Sequence, residues 1–350
     1  MPDTRHYRGR RAAAIENDAL RVTVLEEGGH IAEMFDKRSA VNPLWTPPWA
    51  SIEPSTYTRA RHPEYGDGSD AMLLAGIMGH NLCLDIFGGP SDAEAAAGLT
   101  PHGEASVVPY ELTVSGRTLT AAAALPHAGL RVEREIVLVD RAVRIRERVE
   151  NLTSCDRPIG WTQHVTLGPP FLETGVTEFR ASATRSTVFE GPFGVADDLA
   201  AGARFDWPMA PRRDGRVADL RRFTDVRPSS AYTAHVMDAS RDHAFFLAFS
   251  PTARLAFGYL WKREDFPWLG IWRENRSRTH VPWNAVTVAC GMEFGVSPMP
   301  ETRRAMIDRG RMFGVPTFRW IPAKTRVEVV YWAIACDADV APETLTAPTA

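Results

Sequence analysis

Alternation of apolar and polar side chains dominates this chain. Val143, Ile145 and Val149 interleave with Arg144, Arg146 and Arg148, the signature of a strand with one buried face and one wet face. Runs of the same period occur at 19–25, 107–114, 119–124, 130–139, 232–237, 244–249, 254–260 and 326–335, with turn residues such as Gly28 and Gly29 between them. Helical text is scarce. A single turn is predicted at 92–97, and a short amphipathic helix at 301–313, where Thr302, Arg303, Arg304, Met306, Ile307 and Met312 precede a closing Gly314. Many strands at short spacing predict an all-β fold, a large antiparallel β-sandwich with few short helices.

From 42 to 101 the pattern breaks. Pro43, Pro47, Pro48, Pro54 and Pro63 interrupt it, and Trp45, Trp49, Tyr57 and Tyr65 lie within it. A stretch this long without regular structure is expected to bind something or to cover a site. No repeat of fixed period and no linker divides the chain, so one domain is expected over 13–340. A flexible start at 1–12 and a frayed tail rich in Ala, Pro and Thr at 341–350 would flank it.

One strand carries more than its alternation. Along 286–293, Val286, Val288, Cys290 and Met292 share one face, while Thr287, Ala289, Gly291 and Glu293 share the other. The first face suits a core. The second is small and bare until Glu293, so a flat polar ligand fits along it with a carboxylate at its end, although a solvated terminal Glu satisfies the same pattern.

Composition narrows the functional classes. Apolar residues make up 44% of the 350 positions and charged residues 24%, with a net charge of -3, which gives no reason to expect nucleic acid or an anionic membrane as partner. The basic start lacks an apolar signal segment, and no apolar run is long enough to span a bilayer. Cys83, Cys155, Cys290 and Cys336 show neither metal-ligand nor redox spacing, as expected of reduced thiols in a cytoplasmic protein. No cofactor is expected, and the assembly is expected to be a monomer or a homodimer.

Three polar positions stand out from the apolar pattern. His102 is held between Pro101 and Gly103 on a tight turn. His164 lies in Trp161-Thr-Gln-His-Val-Thr-Leu167, where Thr162, His164 and Thr166 share the face opposite Trp161, Gln163, Val165 and Leu167, a combination able to line a wet cavity. Glu293 is the third. Each one alone also reads as a hydrogen-bonded structural residue.

Several segments resemble the aldose 1-epimerase (galactose mutarotase) superfamily. Ile15-Glu-Asn-Asp-Ala-Leu-Arg-Val-Thr-Val-Leu-Glu-Glu-Gly-Gly-His-Ile, followed by Asp36-Lys37 and Asn42-Pro43-Leu44, is similar to its opening hairpin. Arg148-Val-Glu-Asn-Leu-Thr-Ser-Cys-Asp-Arg-Pro158 resembles the strand and turn before its catalytic histidine, which His164 matches. His102-Gly103 is similar to its second histidine turn, and Cys290-Gly-Met-Glu-Phe294 to the segment with the catalytic glutamate. The family's early arginine motif is replaced by Met78-Gly-His-Asn-Leu-Cys-Leu-Asp85, and Glu104 after His102-Gly103 also departs from its pattern.

The resemblance implies a galactose mutarotase-like sandwich that interconverts the α and β anomers of an aldose. That reaction removes the proton of the C1 hydroxyl while protonating the ring oxygen, a task for a carboxylate and an imidazole with an ordinary pKa of about 6.5. Glu293 is expected as base and His164 as acid, with His102 as a third catalytic residue that hydrogen-bonds the sugar or helps to polarise the ring oxygen. Substrate contacts are expected from His80, Asn81, Asp85, Glu104, Gln163, Trp161, Trp272 and Arg273, with Trp268 as a further aromatic candidate and Asn275 as a further polar one. Two other classes stay open: a carbohydrate-binding protein without turnover on the same fold, and a metal-dependent sugar lyase or isomerase using His80, His102, Glu104 and His164.

Overall fold

The computed structural model describes residues 5–191 and 193–348. Among them, two large β-sheets face each other. The larger runs, in spatial order, Arg5–Tyr7, Arg10–Glu16, Leu20–Leu25, Ile31–Asp36, His80–Asp85, Arg157–Leu167, Val288–Gly295, Trp268–Asn275, Ser229–Met237, Ala183–Val188 and Arg204–Asp206. The smaller runs Glu178–Ala181, His243–Ser250, Leu255–Lys262, Arg326–Asp337, Ala142–Asn151, Leu130–Val139, Thr118–Leu125 and Glu111–Ser115. Many strands adjacent in chain order pair as hairpins, such as Leu130–Val139 with Ala142–Asn151 and His243–Ser250 with Leu255–Lys262. The expected antiparallel sandwich with few helices is therefore the observed architecture.

The core between the sheets follows from the alternation. Leu82, Leu84, Trp161, Val165, Leu167, Cys290 and Met292 on the large sheet meet Val132, Ile136, Ile145, Val149, Phe246, Phe257 and Tyr331 on the small one. On the outer face of the small sheet, Arg144 and Arg146 pair with Glu135, and Arg148 with Glu133 and Glu328. The ladder is half-exposed, so solvent screens it and its contribution is small.

Two charges sit on the wrong side of this alternation. Arg134 and Glu147 occupy inward positions directly opposite each other on adjacent strands, and both are buried. Their side chains approach to 2.6 Å. Glu147 also accepts from Gln163 Nε2 at 2.6 Å and from Trp161 Nε1 at 3.0 Å, and Tyr331 Oη lies 2.8 Å from it. Arg134 donates in addition to the Gly29 carbonyl at 3.2 Å and to Gln163 Oε1 at 3.3 Å. A buried ion pair is tolerated only when its remaining donors and acceptors are satisfied in this way.

Unlike its inner face, the second face of the large sheet is covered by loops. Cys83, Tyr232, Ala234, Trp272 and Ala289 on that face pack against Trp45, Leu73, Leu74, Ile77 and Trp283 from the irregular segments. The 42–101 stretch is less irregular than its prolines suggest. It contains 3-10 turns at Pro54–Thr56 and Pro63–Tyr65, helices at Ala71–Gly76 and Asp92–Ala96, and a central strand at His80–Asp85. That strand is missed by alternation because all six of its residues are buried, on both faces. Asp92–Ala96 carries a capping box from Ser91 and Glu94, as its sequence permits.

Other boundaries move for local reasons. Arg5–Tyr7 and Arg10–Glu16 pair within and across the stretch expected to be loose. Arg10 is fully buried, with its guanidinium on Glu53, the Gly76 carbonyl and the Glu27 carbonyl. Leu345, in the expected frayed tail, packs with Phe245, Leu247 and Leu260. The late helix covers only Arg303–Arg309. Thr302 caps it, Gly310 at φ 61° ends it, and Arg311–Met312 turns back onto Val315–Pro316, so Gly310 and not Gly314 is the stop. The strand expected at 107–114 begins only at Glu111, after a 3-10 turn at Glu104–Ser106.

Glu147→Ala strands Arg134 as a buried unpaired cation, and the expected cost is about 3–5 kcal/mol of folding stability. Urea titration followed by circular dichroism tests this, and a midpoint unchanged from the parent would refute the view that this network holds the sheets together.

Candidate active site

Antiparallel pairing in the middle of the large sheet brings the three singled-out polar residues together. The strand Arg157–Leu167 lies between His80–Asp85 and Val288–Gly295, in a register that sets His164 opposite Asn81 on one side and Glu293 on the other. All three side chains point to the loop-covered face, because their neighbours Gln163, Val165, Leu82 and Met292 point into the sandwich core. His164 Nε2 lies 3.1 Å from Glu293 Oε1. Gly291 leaves the room this needs, since a Cβ there would come within 2.2 Å of the same Glu293 oxygen.

His102 reaches the site from the turn next to this sheet. It adopts φ 70°, a left-handed conformation that costs energy for a residue with a Cβ. Gly103 follows at φ 74°, where a Cβ would come within 2.4 Å of the Leu84 carbonyl oxygen. The His102 carbonyl accepts from Leu84 N at 3.1 Å, and its ring centroid stands 4.6 Å from that of His164. Behind it, Asn81 Nδ2 lies 3.0 Å from His102 Nδ1.

Above these groups is a cavity of about 190 Å³. His102 and His164 form its floor together with Trp272, and Trp45, Trp283 and Phe193 form apolar walls. Asp70, Arg278 and His280 bring polar groups to it. Trp45 and Trp283 are nearly parallel, with centroids 6.3 Å apart. The Arg278 guanidinium lies 4.9 Å from the Trp283 ring and 5.2 Å from the Trp272 ring, a cation–π arrangement. It also bonds Glu274 Oε2 at 2.8 Å and the Phe193 carbonyl at 3.0 Å.

The electrostatics of the floor and of the carboxyl buried behind it are unusual. Glu293 is 2% exposed, and His164 Nε2 is the one charged or polar side-chain partner of its carboxyl among the described residues. Burial pushes the carboxyl well above the ordinary carboxylate range and holds His164 down at about 4. His102 is likewise depressed well below an ordinary imidazole, by burial first and then by the facing His164 and His30. Desolvation on both sides favours the neutral acid beside a neutral imidazole over an ion pair, and the two groups together carry one exchangeable proton. Trp272 Nε1, on the cavity floor, is buried without a hydrogen-bond partner. Unsatisfied polar atoms beside a cavity are groups that a hydroxylated ligand can satisfy.

Not every residue expected at the site is there. Glu293, His164, His102 and Trp272 come together, and Asn81 stands behind His102. His80, Gln163 and Trp161 alternate to the core face. There His80 bonds Tyr259 Oη and Gln163 Oε1, both at 3.0 Å, while Gln163 and Trp161 bond Glu147. Asp85 is fully buried against Arg157 at 2.8 Å and against Arg303. Glu104 accepts from the backbone of Ala128 at 2.8 Å and of His127 at 3.2 Å. Arg273 alternates away from Trp272 and lies 3.3 Å from Asp198. Trp268 donates to the Pro316 carbonyl at 2.7 Å, and Asn275 to the Val226 carbonyl at 2.9 Å. The four-residue metal set is therefore not assembled, and no group of three or more metal-ligating side chains occurs among the described residues.

Sequence reasoning missed Asp70, Phe193, Arg278, His280 and Trp283, all on loops brought in from elsewhere in the chain. The aromatic density around Trp45 and Trp49 was the one signal that pointed to this wall.

No family model matches the chain, and no curated protein does either. Solved structures do match. A candidate aldose 1-epimerase of Klebsiella pneumoniae superposes with a TM-score of 0.66 at 12% identity, over 94% of this chain and 80% of its own. A candidate aldose 1-epimerase of Escherichia coli gives 0.61 at 12% identity over 93% and 99%. A galactose mutarotase-like protein of Lactobacillus casei gives 0.54 at 14% identity over 93% and 100%. The fold of this chain is thus the galactose mutarotase-like sandwich.

The buried carboxyl has a measurable signature. In the unfolded chain Glu293 ionises at about 4.5, whereas the folded protein keeps it protonated to higher pH, so the stability tied to it is complete below about 4.5 and is lost as pH rises toward the folded pKa. The depressed His164 works in the opposite sense, its stability being complete above about 6.5 and lost as pH falls toward about 4. Above about 6.5 only the Glu293 effect remains of the two. Glu293→Gln is therefore expected to gain stability relative to the parent as pH rises above about 6.5, by at most about 1.4 kcal/mol per pH unit. Denaturant unfolding of both proteins at several pH values checks this, and a constant difference would show that the carboxyl is ionised in the fold.

Proposed function

We propose that the protein is an aldose 1-epimerase that interconverts anomers by general acid–base ring opening, with Glu293 and His164 as the proton-exchanging pair. The observation that carries this reading is the 3.1 Å approach of the buried Glu293 carboxyl to His164, whose ring lines an aromatic-walled cavity. The likeness of fold to candidate aldose 1-epimerases supports it as well.

Ring opening takes the proton of the C1 hydroxyl and gives one to the ring oxygen, so the enzyme must accept and donate a single proton in each direction. A carboxyl and an imidazole holding one proton between them do this without net change. The shared proton, at rest on the Glu293 carboxyl, first crosses the 3.1 Å contact to His164. The carboxylate so formed then takes the hydroxyl proton while the His164 imidazolium gives its proton to the ring oxygen. After rotation about C1–C2 the same transfers run backward on the other face of the carbonyl. His102 adds a hydrogen bond to the sugar, and Trp272, Trp45 and Trp283 offer rings on which sugar C–H faces pack.

The substrate of this reading is an uncharged aldose. Arg278 is the one Lys or Arg side chain among the described residues lining the cavity, and its guanidinium is already bonded to Glu274, with Asp70 also on the wall. A bound phosphate normally gathers several unpaired cations.

Anomer exchange measured by NMR magnetisation transfer across neutral aldoses, uronic acids and sugar 6-phosphates tests both statements. Neutral aldoses are expected to exchange faster with enzyme, and Glu293→Gln to lose about 10²–10⁴-fold of that rate. Exchange confined to the phosphates would overturn the substrate class. Line broadening by bound sugars without any rate enhancement would replace the epimerase reading with the non-catalytic carbohydrate-binding one.

A further inference from the structure

Asn81 was expected to touch substrate, yet it does not line the cavity; it is fully buried beneath His102. Its amide is oriented by a chain of hydrogen bonds. Ser106 Oγ donates its only hydrogen to the Leu82 carbonyl at 2.8 Å, so toward Asn81, 3.0 Å away, it can only accept. The Asn81 atom facing Ser106 is therefore the NH2 group, and the same nitrogen lies 3.0 Å from His102 Nδ1. With one hydrogen on each partner, Asn81 Nδ2 requires a lone pair on Nδ1.

We propose that Asn81 is a positioning residue that locks His102 in the Nε2–H tautomer, so that this ring presents a neutral hydrogen-bond donor to the cavity. A neutral imidazole with its lone pair on Nδ1 carries its hydrogen on Nε2. His102 is thereby a fixed donor for a substrate oxygen rather than a second base competing with Glu293 and His164. The sugar-binding part of this assignment rests on the epimerase reading; the tautomer does not. Asp70, Arg278 and His280 line the cavity that His102 shares, and the titratable groups that act on His102 are His164, with its ring 4.6 Å away, and His30, whose Nε2 lies 2.9 Å from the Ser106 carbonyl. Neither supplies a carboxylate that would stabilise a proton on Nδ1.

Nitrogen-15 NMR of histidine-labelled protein, with the His102 signals identified by their loss in His102→Gln, reads the tautomer without any turnover. The unaltered protein is expected to show a protonated Nε2 and an unprotonated Nδ1; the reverse pattern would overturn the proposal. In Asn81→Asp, the carboxylate accepts from Nδ1–H, so the tautomer should invert and His102 should titrate at higher pH. Where substrate turnover is measured, that variant is expected to lose about 10²-fold at high pH and to recover as pH falls and His102 regains Nε2–H. A folded Asn81→Asp protein with unchanged His102 signals would also refute the proposal. Should that variant not fold, the tautomer of the unaltered protein still decides.

Discussion

Everything at the site depends on which way the Arg157–Leu167 strand faces, and that is set from inside the sandwich. Gln163 is clamped by Glu147, Arg134, Tyr331 and His80 between the two sheets. With Gln163 held inward, the pleat sends His164 outward. A register slip of one residue would bury the imidazole in the core and push Gln163 out, breaking every bond of the network. A charged pair in the core is weak evidence for stability by itself. Here its geometry also selects the face on which His164 stands.

The second layer of the site is built by cover. Loops from 42 to 101 and from 276 to 286 close over the outer face of the large sheet, and the cover is anchored far from the chemistry. Arg10 ties the Ala71–Gly76 helix to the first hairpin, and the Ser55 backbone and hydroxyl bond Glu27 at 2.7 and 2.6 Å. The cover removes solvent from Glu293, His164 and His102 together. Burial without counter-charges then does for all three what a neighbouring ion would do for one: it holds each in its neutral form, ready for a proton to move at little cost in net charge.

Fold and chemistry stand on different ground in this molecule. Superposition over nearly the whole chain at 12% identity means that the sandwich survives almost complete replacement of its side chains, as expected when volume and patterning carry a fold. The function proposed rests instead on a few atoms: a carboxyl beside an imidazole, a second imidazole beside the first, and an unpaired indole N–H next to them.

The sequence by itself determined the class of fold, because alternation is a local property that survives in text. Strands such as Leu130–Val139 and Arg326–Asp337 are legible from their period, and the 286–293 strand shows the bare face with Glu293 at its end. It also marked His102, His164 and Glu293, since each interrupts an otherwise apolar or small-residue surface. Arg134 and Glu147 are equally legible as charges on inward positions of their strands. Only the tertiary structure decided the rest. His80–Asp85 is buried on both faces and so has no period to read. Which polar residues meet depends on strand order, and this separates His80 from Asn81 and Trp272 from Arg273 by nothing more than the pleat. Arg278, Trp283 and Asp70 lie far from the histidines in the chain, and no local pattern marks them, because a cavity wall is a property of how loops cross over a sheet.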